Sequence, residues 1–351
     1  NVSLRDADAI ALGASTVTGT LTVQSGGAAA TDDITQTGAV TVTGAATFIA
    51  GLGDVALVLA NDFSTVSITS SNTATLSDVN AINLGGVTTT TTFALTTTGA
   101  ITQTGALAIG TTSTFAAGAT NNITLDMATN VFGGSVGITS GLDVTLVDSG
   151  ALDLAASTVA SDLSVTAAGA ITDSGALTVG GQATFDAGPN AITLGNAEVD
   201  NFGTLSLTGG LVTVTEASDM ILSVVSSLAL TVTAAGSITD TGFVVATGVL
   251  TATSTLAGSA VTLDSPLNTA GTVNLTTAGG GAAATFVDQN GFTVGTVTAV
   301  GGLVTLTALG GAVVSDGAGV DVTGLNLIVS GSTGVGAAGL PLTPAVPSLE
   351  G

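Results

Sequence analysis

The sequence lacks most of the side chains on which protein chemistry usually depends. Its 351 residues include no Cys, His, Trp or Tyr, and Arg5 is the one basic residue. The absence of His, Cys and Lys excludes the common zinc sites, a thiol nucleophile and a Schiff-base lysine. With 24 acids and a formal net charge of −23, the chain is also unsuited to electrostatic binding of nucleic acid or of an anionic membrane surface.

Apolar residues are nevertheless abundant. Hydrophobic residues make up 45% of the chain and the mean hydropathy is +0.71, whereas disordered chains are normally poor in such residues. Residues 220–239 carry no charge and are long enough to cross a membrane as one helix. The corresponding stretch of the preceding repeat, 151–172, contains Asp153 and Asp162, so short strands are the better interpretation. We therefore predict a folded chain without membrane insertion.

An internal repeat of about 70 residues runs through nearly the whole chain, as is typical of solenoids and related architectures. Two series of similar segments mark it, and both keep nearly the same spacing from one copy to the next. The first series is ITQTGAVTVTG (34–44), ITQTGALAIGT (101–111), ITDSGALTVGG (171–181) and ITDTGFVVATG (238–248). The second is DADAIALGAS (6–15), DVNAINLGGV (78–87), DSGALDLAAS (148–157), EASDMILSVV (216–225) and DQNGFTVGTV (288–297).

The repeat predicts one continuous solenoid over residues 1–351. Its internal units are 6–77, 78–147, 148–215 and 216–287, followed by a partial unit, 288–340, and a Pro-containing junction, 341–351. The segments NVSL (1–4) and SLEG (348–351) keep an apolar-polar alternation, so we expect the solenoid to continue at both ends, within one polypeptide or between stacked identical blocks.

Short apolar-polar-apolar triplets recur within each unit, which indicates short strands with one buried face. The expected fold class is all-β: a parallel β-helix (β-solenoid) with about three short strands and about 22 residues per coil, hence three coils per unit. A string of immunoglobulin-like sandwiches is the alternative, but the Trp and Tyr usual in their cores are absent. Helices should be nearly absent, and the Phe residues are interpreted as isolated fillers of wide corners.

Three segments carry a resemblance to a known family. GAITQTGAL (99–107), LTVTAAGSITDTG (230–242) and DVNAINLG (78–85) resemble the repeats of filamentous haemagglutinin-like large exoproteins, and the likeness covers residues 1 to about 330. GSTGVGAAGLPLTPAVPSLEG (331–351) is similar to a recurring element of the same proteins. The resemblance implies a bacterial surface or secreted β-solenoid, exported by two-partner secretion or in the manner of an autotransporter. No ligand motif is present, so no binding residue carries over.

Pairs of acids that lie close in sequence are the candidates for catalysis, because glycosidases use two carboxylates. A polyanionic substrate would need cations beside them, and Arg5 stands alone. We therefore expect no enzymatic activity and no catalytic residue, and we interpret the acids as solubilising turn residues. The pairs are Asp6/Asp8, Asp32/Asp33, Asp148/Asp153, Glu216/Asp219 and Asp316/Asp321.

The third residue of the recurring I-T-x triplet alternates between an amide and an acid. It is Gln36, Gln103, Asp173 and Asp240 in successive units. Free interchange of Gln and Asp favours a solvated surface position over a functional one.

Two kinds of binding site also need to be weighed. Gly317–Asp321 resembles a fragment of a calcium-binding solenoid motif, but a calcium ion needs about six oxygens and no second copy is adjacent. An ice-binding face needs one Thr-x-Thr triplet per coil, and the triplets here fall at irregular sequence intervals. We expect no cofactor and no metal site beyond weak, non-specific Ca²⁺ screening. The triplets are 16–18, 41–43, 213–215, 231–233 and 251–253.

The sequence thus predicts a structural segment of an extracellular bacterial fibre or adhesin stalk, a stiff rod without catalysis that continues end to end as a filament. Its expected partner is itself, through axial stacking of coils or continuation of the same polypeptide. The alternative is a carbohydrate- or host-surface-binding adhesin module displayed on such a solenoid.

Overall fold

The structure, a computed structural model, describes residues 1–195, 199–337 and 341–350. Residues 338–340 of the expected partial unit and Gly351 of the junction lie outside this range. Every regular element within it is a β-strand, and no helix is present. The chain divides into two compact units, Asn1–Gly180 and Gly181–Gly351, each of which is described separately.

The strands of the first unit mostly contain three to five residues, as the triplets predict. They are β1 (Val2–Arg5), β2 (Ile10–Leu12), β3 (Ser15–Val17), β4 (Leu21–Gln24), β5 (Ile34–Gln36), β6 (Val40–Ile49), β7 (Val55–Ser71), β8 (Ala74–Asp78), β9 (Ile82–Thr89), β10 (Phe93–Thr97), β11 (Ile101–Gln103), β12 (Leu107–Ile109), β13 (Ser113–Ala116), β14 (Ile123–Leu125), β15 (Val131–Phe132), β16 (Ser135–Ser140), β17 (Val144–Asp148), β18 (Leu152–Leu154), β19 (Ser157–Val159), β20 (Leu163–Ala167), β21 (Ile171–Asp173) and the start of β22 (Leu177–Asp186).

The second unit contains several longer strands that continue through a corner of the coil. Its strands are the end of β22, then β23 (Ile192–Leu194), β24 (Asn201–Glu216), β25 (Met220–Ala234), β26 (Ile238–Ser254), β27 (Val261–Leu263), β28 (Thr269–Thr277), β29 (Ala284–Asp288), β30 (Phe292–Ala308), β31 (Ala312–Ser315), β32 (Val322–Gly331), β33 (Gly334–Val335), β34 (Pro344–Ala345) and β35 (Ser348–Glu350).

All described strand pairs are parallel and join one coil to the next. In the first unit one row of paired residues runs Ile10, Ile34, Val55, Ala74, Phe93, Ser113 and Val136. In the second unit an equivalent row runs Ile192, Val212, Leu230, Leu250, Val273 and Val294. Successive members of a row are separated by roughly 20 residues, which is one coil of a solenoid. Stacked parallel coils of this size confirm the predicted β-solenoid fold class.

The sequence repeat is longer than three coils, so the prediction of three coils per repeat is wrong. From Ile34, three coils lead along the row to Phe93. The repeat-equivalent residue of Ile34 is Ile101, which lies further along the chain than Phe93 and pairs with Ile82 and Ile123 in another row. The repeat therefore spans about three and a third coils. Equivalent residues of the first two repeats consequently lie on different faces of the solenoid.

The core is built from side chains that alternate in and out along each strand. In β14, for example, Ile123 and Leu125 are fully buried and Thr124 between them is half-buried. At about 25 cal/mol per Å² of apolar surface, such burial is the main stabilising contribution to each coil. Burying one side of most strands in this way gives the coils a thin apolar interior.

The phenylalanines are not isolated fillers, contrary to the sequence interpretation. Phe48 and Phe63 lie edge to face with ring centroids 5.9 Å apart. Phe115 contacts both Phe93 at 5.8 Å and Phe132 at 6.5 Å. In the second unit the ring pairs are Phe185/Phe202 at 5.9 Å and Phe286/Phe292 at 5.0 Å. Rings from neighbouring coils thus pack together, which adds to their burial energy.

Some corners depend on glycine. Gly27 and Gly51 have φ of 76° and 61°, values that favour glycine. They stack on each other, and a Cβ on Gly51 would lie 2.3 Å from the Gly27 carbonyl oxygen. A larger residue at Gly51 would therefore separate the two coils.

The uncharged stretch 220–239 forms β25 and the beginning of β26. Among the described residues, no helix has the length and apolar character needed to span a membrane.

Candidate functional site

Each repeat has polar residues at three corresponding positions, and we call these residues the corner network. The first position is the third residue of a strand, the second follows further along the chain, and the third is the last residue of a later strand. The first positions are Gln36, Gln103, Asp173 and Asp240; the second are Asn61, Asn130, Asp200 and Asn268; the third are Asp78, Asp148, Glu216 and Asp288. All residues at the second and third positions are buried, with an exposed fraction of at most 3%.

The first two positions of repeat one form a reciprocal amide pair. The Nε2 group of Gln36 donates to Oδ1 of Asn61 at 2.8 Å, and Nδ2 of Asn61 donates to Oε1 of Gln36 at 3.0 Å. Gln36 Oε1 also accepts the N–H of Leu59. The I-T-x residue is therefore a hydrogen-bonded, half-buried link between coils, and its interpretation as a solvated surface position is wrong.

Asn61 satisfies backbone groups that the corner leaves without strand partners. Its Oδ1 accepts the N–H of Val40 at 2.9 Å. Its Nδ2 donates to the carbonyl oxygens of Leu57 at 3.0 Å and Ser77 at 3.1 Å. Because buried carbonyl and N–H groups without partners each cost about 1–3 kcal/mol, one amide stabilises the corner on three coils.

The third position accepts backbone hydrogen bonds at the end of a strand. In repeat one, Asp78 accepts the N–H of Phe63 at 2.7 Å and that of Asn80 at 3.0 Å. Burial raises the pKa of the Asp78 carboxyl above its ordinary value, although these two donors oppose the shift. The side chain thus acts as a buried cap for the chain as it enters the next turn.

Repeat two has the same arrangement. Gln103 and Asn130 exchange two hydrogen bonds of 2.8 and 2.9 Å, and Nδ2 of Asn130 donates to two carbonyl oxygens at 3.3 Å. Asp148 accepts the N–H groups of Phe132 at 3.3 Å and Gly150 at 2.9 Å. Burial likewise raises the pKa of the Asp148 carboxyl, with the backbone donors opposing.

Repeat four replaces the first amide by an acid and keeps the second. Nδ2 of Asn268 donates to Oδ2 of Asp240 at 2.7 Å, and Oδ1 of Asn268 accepts the N–H of Val244 at 2.7 Å. Asp288 accepts the N–H groups of Ala270 and Asn290. Burial raises its pKa as well. Gln36, Gln103 and Asp240 are equivalent in this respect, because each offers an oxygen to an asparagine.

Repeat three departs most from the others, because its second position is also acidic. Asp200 and Glu216 are partners in an isolated parallel bridge, and both are almost completely removed from solvent. Oε1 of Glu216 accepts the N–H of Phe202 at 3.0 Å and the hydroxyl of Ser218 at 3.0 Å. Burial raises the pKa of Glu216 to about 7, and the charge of Asp219 adds to the shift while the two donors oppose it.

No described hydrogen bond joins the two side chains of an acid pair that the sequence suggested. Asp148 and Glu216 are buried caps, so their interpretation as solubilising turn residues is wrong. Asp153, the sequence neighbour paired with Asp148, instead accepts the hydroxyls of Thr172 at 3.2 Å and Ser174 at 2.6 Å. These acids hold neighbouring coils together.

The calcium-motif fragment ends in a carboxylate that protein donors already occupy. Asp321 is fully buried, and its oxygens accept from the Ser315 hydroxyl at 2.8 Å and the Thr343 N–H at 2.6 Å. Across the described ranges, no group of three or more acidic side chains is arranged to hold a metal ion.

Three Thr-x-Thr triplets come into register, although their sequence intervals predict an irregular arrangement. Thr213 pairs with Thr231 and Thr231 with Thr251, and the second threonines of the same triplets pair likewise. We call the six residues the threonine ladder: Thr213, Thr215, Thr231, Thr233, Thr251 and Thr253. They are exposed or half-buried, and β25 in the middle carries no charge. Variation in coil length hides this register from the sequence.

The corner network recurs with the period of a known family. The family described as repeats of unknown function (DUF5649) matches residues 1–70, 71–139, 141–208 and 209–277. The chain belongs to this family. The second position of the network falls near the end of each DUF5649 segment, so every matched segment contributes one buried amide or acid to a corner. No curated protein and no solved structure matches the chain.

Sequence reasoning missed the second network position altogether. A signal was present, since Asn61, Asn130, Asp200 and Asn268 recur with the spacing of the repeat itself. In repeats one, two and four, the hydrogen-bonded partner at the first position lies a whole coil away in sequence. A local sequence pattern does not indicate such a pair.

Proposed function

We propose that the chain is a structural segment of an extracellular bacterial fibre or adhesin stalk, which acts as a stiff spacer and has no catalytic activity. The observation that supports this most strongly is that the buried polar groups of the corner network form hydrogen bonds between coils. In repeats one, two and four, each of these groups bonds the backbone or side chains of adjacent coils. Such side chains stabilise the stacking of coils.

The parallel ladders support a mechanical role. Each coil bonds to the next through strands about 4.8 Å apart, so every added coil lengthens a solenoid by the same step. Stability is then close to a sum of coil and neighbour terms, as in other repeat proteins. We propose that the axial partner is more of the same fold, supplied by the same polypeptide or by an identical chain.

Electron microscopy of the purified chain tests the spacer function. We expect straight, unbranched particles about 5 Å longer for each coil present, with no compact globular species. Antibodies raised against the chain should label intact cells of the bacterium that encodes it. Globular particles, or labelling that appears after cell lysis alone, would contradict the proposal.

The second candidate function is that of a carbohydrate- or host-surface-binding module, and the threonine ladder is the observation that favours it. Its paired hydroxyls lie on three successive coils without an intervening charge, in a chain of net charge −23. Neutral ligands with hydroxyl groups suit such a surface better than charged ligands. The acids elsewhere on the chain would repel an anionic ligand and compete with the ladder for a cationic one.

Binding to a panel of immobilised neutral polysaccharides distinguishes the two functions. Saturable binding that is lost in Thr231→Val and retained in Thr22→Val, a change on β4 of the first unit, would favour the binding module. Absence of binding together with straight particles would favour the spacer.

A further inference from the structure

Two columns of threonine run along one face of the second unit, and together we call them the threonine face. The first column extends one side of the threonine ladder, because Thr193 pairs with Thr213 at its beginning and Asn274 pairs with Thr251 at its end. The second column places a threonine at the same register position on six successive coils. Its members are Thr215, Thr233, Thr253, Thr276, Thr298 and Thr323.

The threonine face is regular in space although its members are irregularly spaced in sequence. Neighbours within a column lie on paired strands about 4.8 Å apart, and two threonines of one triplet lie roughly 6.6 Å apart along their strand. The triplets 213–215, 231–233 and 251–253 pair without a shift of register. These three coils therefore meet the requirement of one triplet per coil that the sequence intervals had argued against.

The hydroxyl groups of the second column are available to an external ligand. They make no hydrogen bond within the part of the chain that the structure describes, and their side chains are exposed or half-buried. Strand threonines of the first unit differ in this respect, because Thr35 and Thr102 donate to carbonyl oxygens of the preceding coil at 3.4 Å. The second column thus keeps its donors and acceptors for contacts outside the solenoid.

Threonine also fixes the positions of these groups. Its branched Cβ restricts the first side-chain torsion, and paired strands hold the backbone. Each hydroxyl donates one hydrogen bond and accepts two, and a methyl group lies beside it. A surface whose groups are already positioned loses little conformational entropy on binding.

The surroundings exclude other classes of ligand. The strand segments 212–215, 230–233, 250–253 and 273–276 contain no charged residue and no aromatic ring, in a chain of net charge −23. A charged ligand would find no counter-charge there. Sites for small organic molecules are concave and rich in apolar and aromatic side chains, whereas this surface is the outward side of a parallel sheet. A regular, neutral array of hydroxyl groups on such a surface fits a solid with regularly spaced oxygen atoms.

We propose that the threonine face binds ice. Ice presents oxygen atoms at regular intervals in two directions, and these intervals are close to the spacing of the coils and to the spacing of the two threonines in a triplet. Each hydroxyl then bonds water molecules of the lattice as donor and acceptor, and the methyl groups remove apolar surface from liquid water. This activity goes beyond the spacer function and does not depend on it, and it gives the threonine ladder a ligand other than a polysaccharide.

Slow growth of ice from a solution of the full chain provides the test. A protein that binds ice enters the growing solid, whereas a protein that does not bind stays in the liquid. Because the chain has no Trp or Tyr, its concentration in both fractions is measured by peptide-bond absorbance. We expect the unmodified chain to be enriched in the ice relative to a reference protein that does not bind.

Thr233→Lys places a long charged side chain in the middle of the second column and should reduce the ice fraction to that of the reference protein. Thr298→Lys, further along the same column, is a second variant of the same kind. Thr262→Lys is the matched control and should leave the enrichment unchanged. Thr262 is also half-buried and pairs with Thr239 and Thr285, but it lies on β27 in a different row of strands. Circular dichroism should show the same strand signal and melting temperature for every variant compared.

Exclusion of the unmodified chain from ice would overturn the proposal. So would enrichment that persists in both Thr233→Lys and Thr298→Lys, or an equal loss in the Thr262→Lys control. Exclusion from ice together with polysaccharide binding that Thr231→Val abolishes would assign the surface to the second candidate function instead. Straight particles that do not bind ice would contradict this inference and leave the spacer function in place.

Discussion

Repeats two and three carry the same corner in two chemical forms. In repeat two an amide donates to the backbone carbonyls, and Asp148 caps a strand end while burial raises the pKa of its carboxyl. In repeat three Asp200 and Glu216 replace them, and the pKa of Glu216 rises to about 7. Burial thus raises the pKa of the buried cap in both repeats, and in repeat three it brings that pKa close to neutrality.

Aromatic packing offers the largest expected effect within this comparison. Phe115 of repeat two contacts two rings, whereas Phe185 of repeat three contacts one. Replacing Phe115 by Ala should cost about 3–5 kcal/mol, because it removes a fully buried side chain and leaves a cavity. The cost of Phe185→Ala should be smaller by about 1 kcal/mol, the value of one ring pair.

Urea unfolding followed by circular dichroism measures both changes, with the slope compared to ensure that the same transition is observed. Equal losses for the two variants would show that the second ring contact of Phe115 adds nothing beyond burial.

Loss of the network amide should have the next largest effect. Asn130→Ala leaves the N–H of Leu107 and the carbonyl oxygen of Val147 without this partner in a buried corner. We expect a loss of about 2–4 kcal/mol, since each unsatisfied buried group costs about 1–3 kcal/mol. Asn122→Ala is the control, because Asn122 is exposed and its one described side-chain bond, to the Asp143 N–H, is 3.4 Å long. A loss no greater than that of the control would show that the corner network does not contribute to the free energy of unfolding.

The strands and the repeat could be predicted from the sequence, because alternation and spacing are local signals. The triplet 123–125, for example, is a strand with its two apolar residues buried. The number of coils in one repeat could not be predicted, because coil length varies along the chain and determines which residues lie in the same row. Thr213, Thr231 and Thr251 illustrate this, because the two sequence intervals between them differ and the three residues still come into register.

The corner network was missed for a related reason. Interchange of Gln and Asp at the first position suggests exposure when a residue is considered alone. Gln36 and Asp240 in fact each offer an oxygen to a buried asparagine in the next coil, an acceptor role that both residue types perform. The sequence also does not indicate which acids are buried, and among the residues whose burial the structure describes there are seven: Asp32, Asp78, Asp148, Asp200, Glu216, Asp288 and Asp321.

The pH dependence of stability should separate the two repeats. The pKa of Glu216 is higher in the folded chain than in the unfolded one, so the folded state binds a proton that the unfolded state releases. Its stabilising contribution is complete below about pH 4.5 and is lost as pH rises through about 7, a change of up to about 3 kcal/mol. Glu216→Gln should remove this dependence.

Thermal melts of the full chain at several pH values give the measurement. Asp148→Asn in repeat two is the matched control. This variant should still lose stability between about pH 6 and about pH 8. A Glu216→Gln protein that still loses stability over that interval would assign the titration to another group.

The smallest expected effect concerns a bond of the same type on the surface. Asp143 Oδ1 accepts the N–H of Asp162 at 3.3 Å in an exposed bond, so a half-buried acid caps the next coil as Asp148 does in the interior. Asp143→Asn keeps an oxygen acceptor and removes a negative charge beside Asp162. Because water competes for the exposed bond and screens the charges, we expect a change within about 0.5 kcal/mol, in the stabilising direction. The effect should shrink further as salt is added, because exposed charges are screened over about 10 Å at 0.1 M salt. Destabilisation of more than about 1 kcal/mol would mean that burial does not distinguish the two caps.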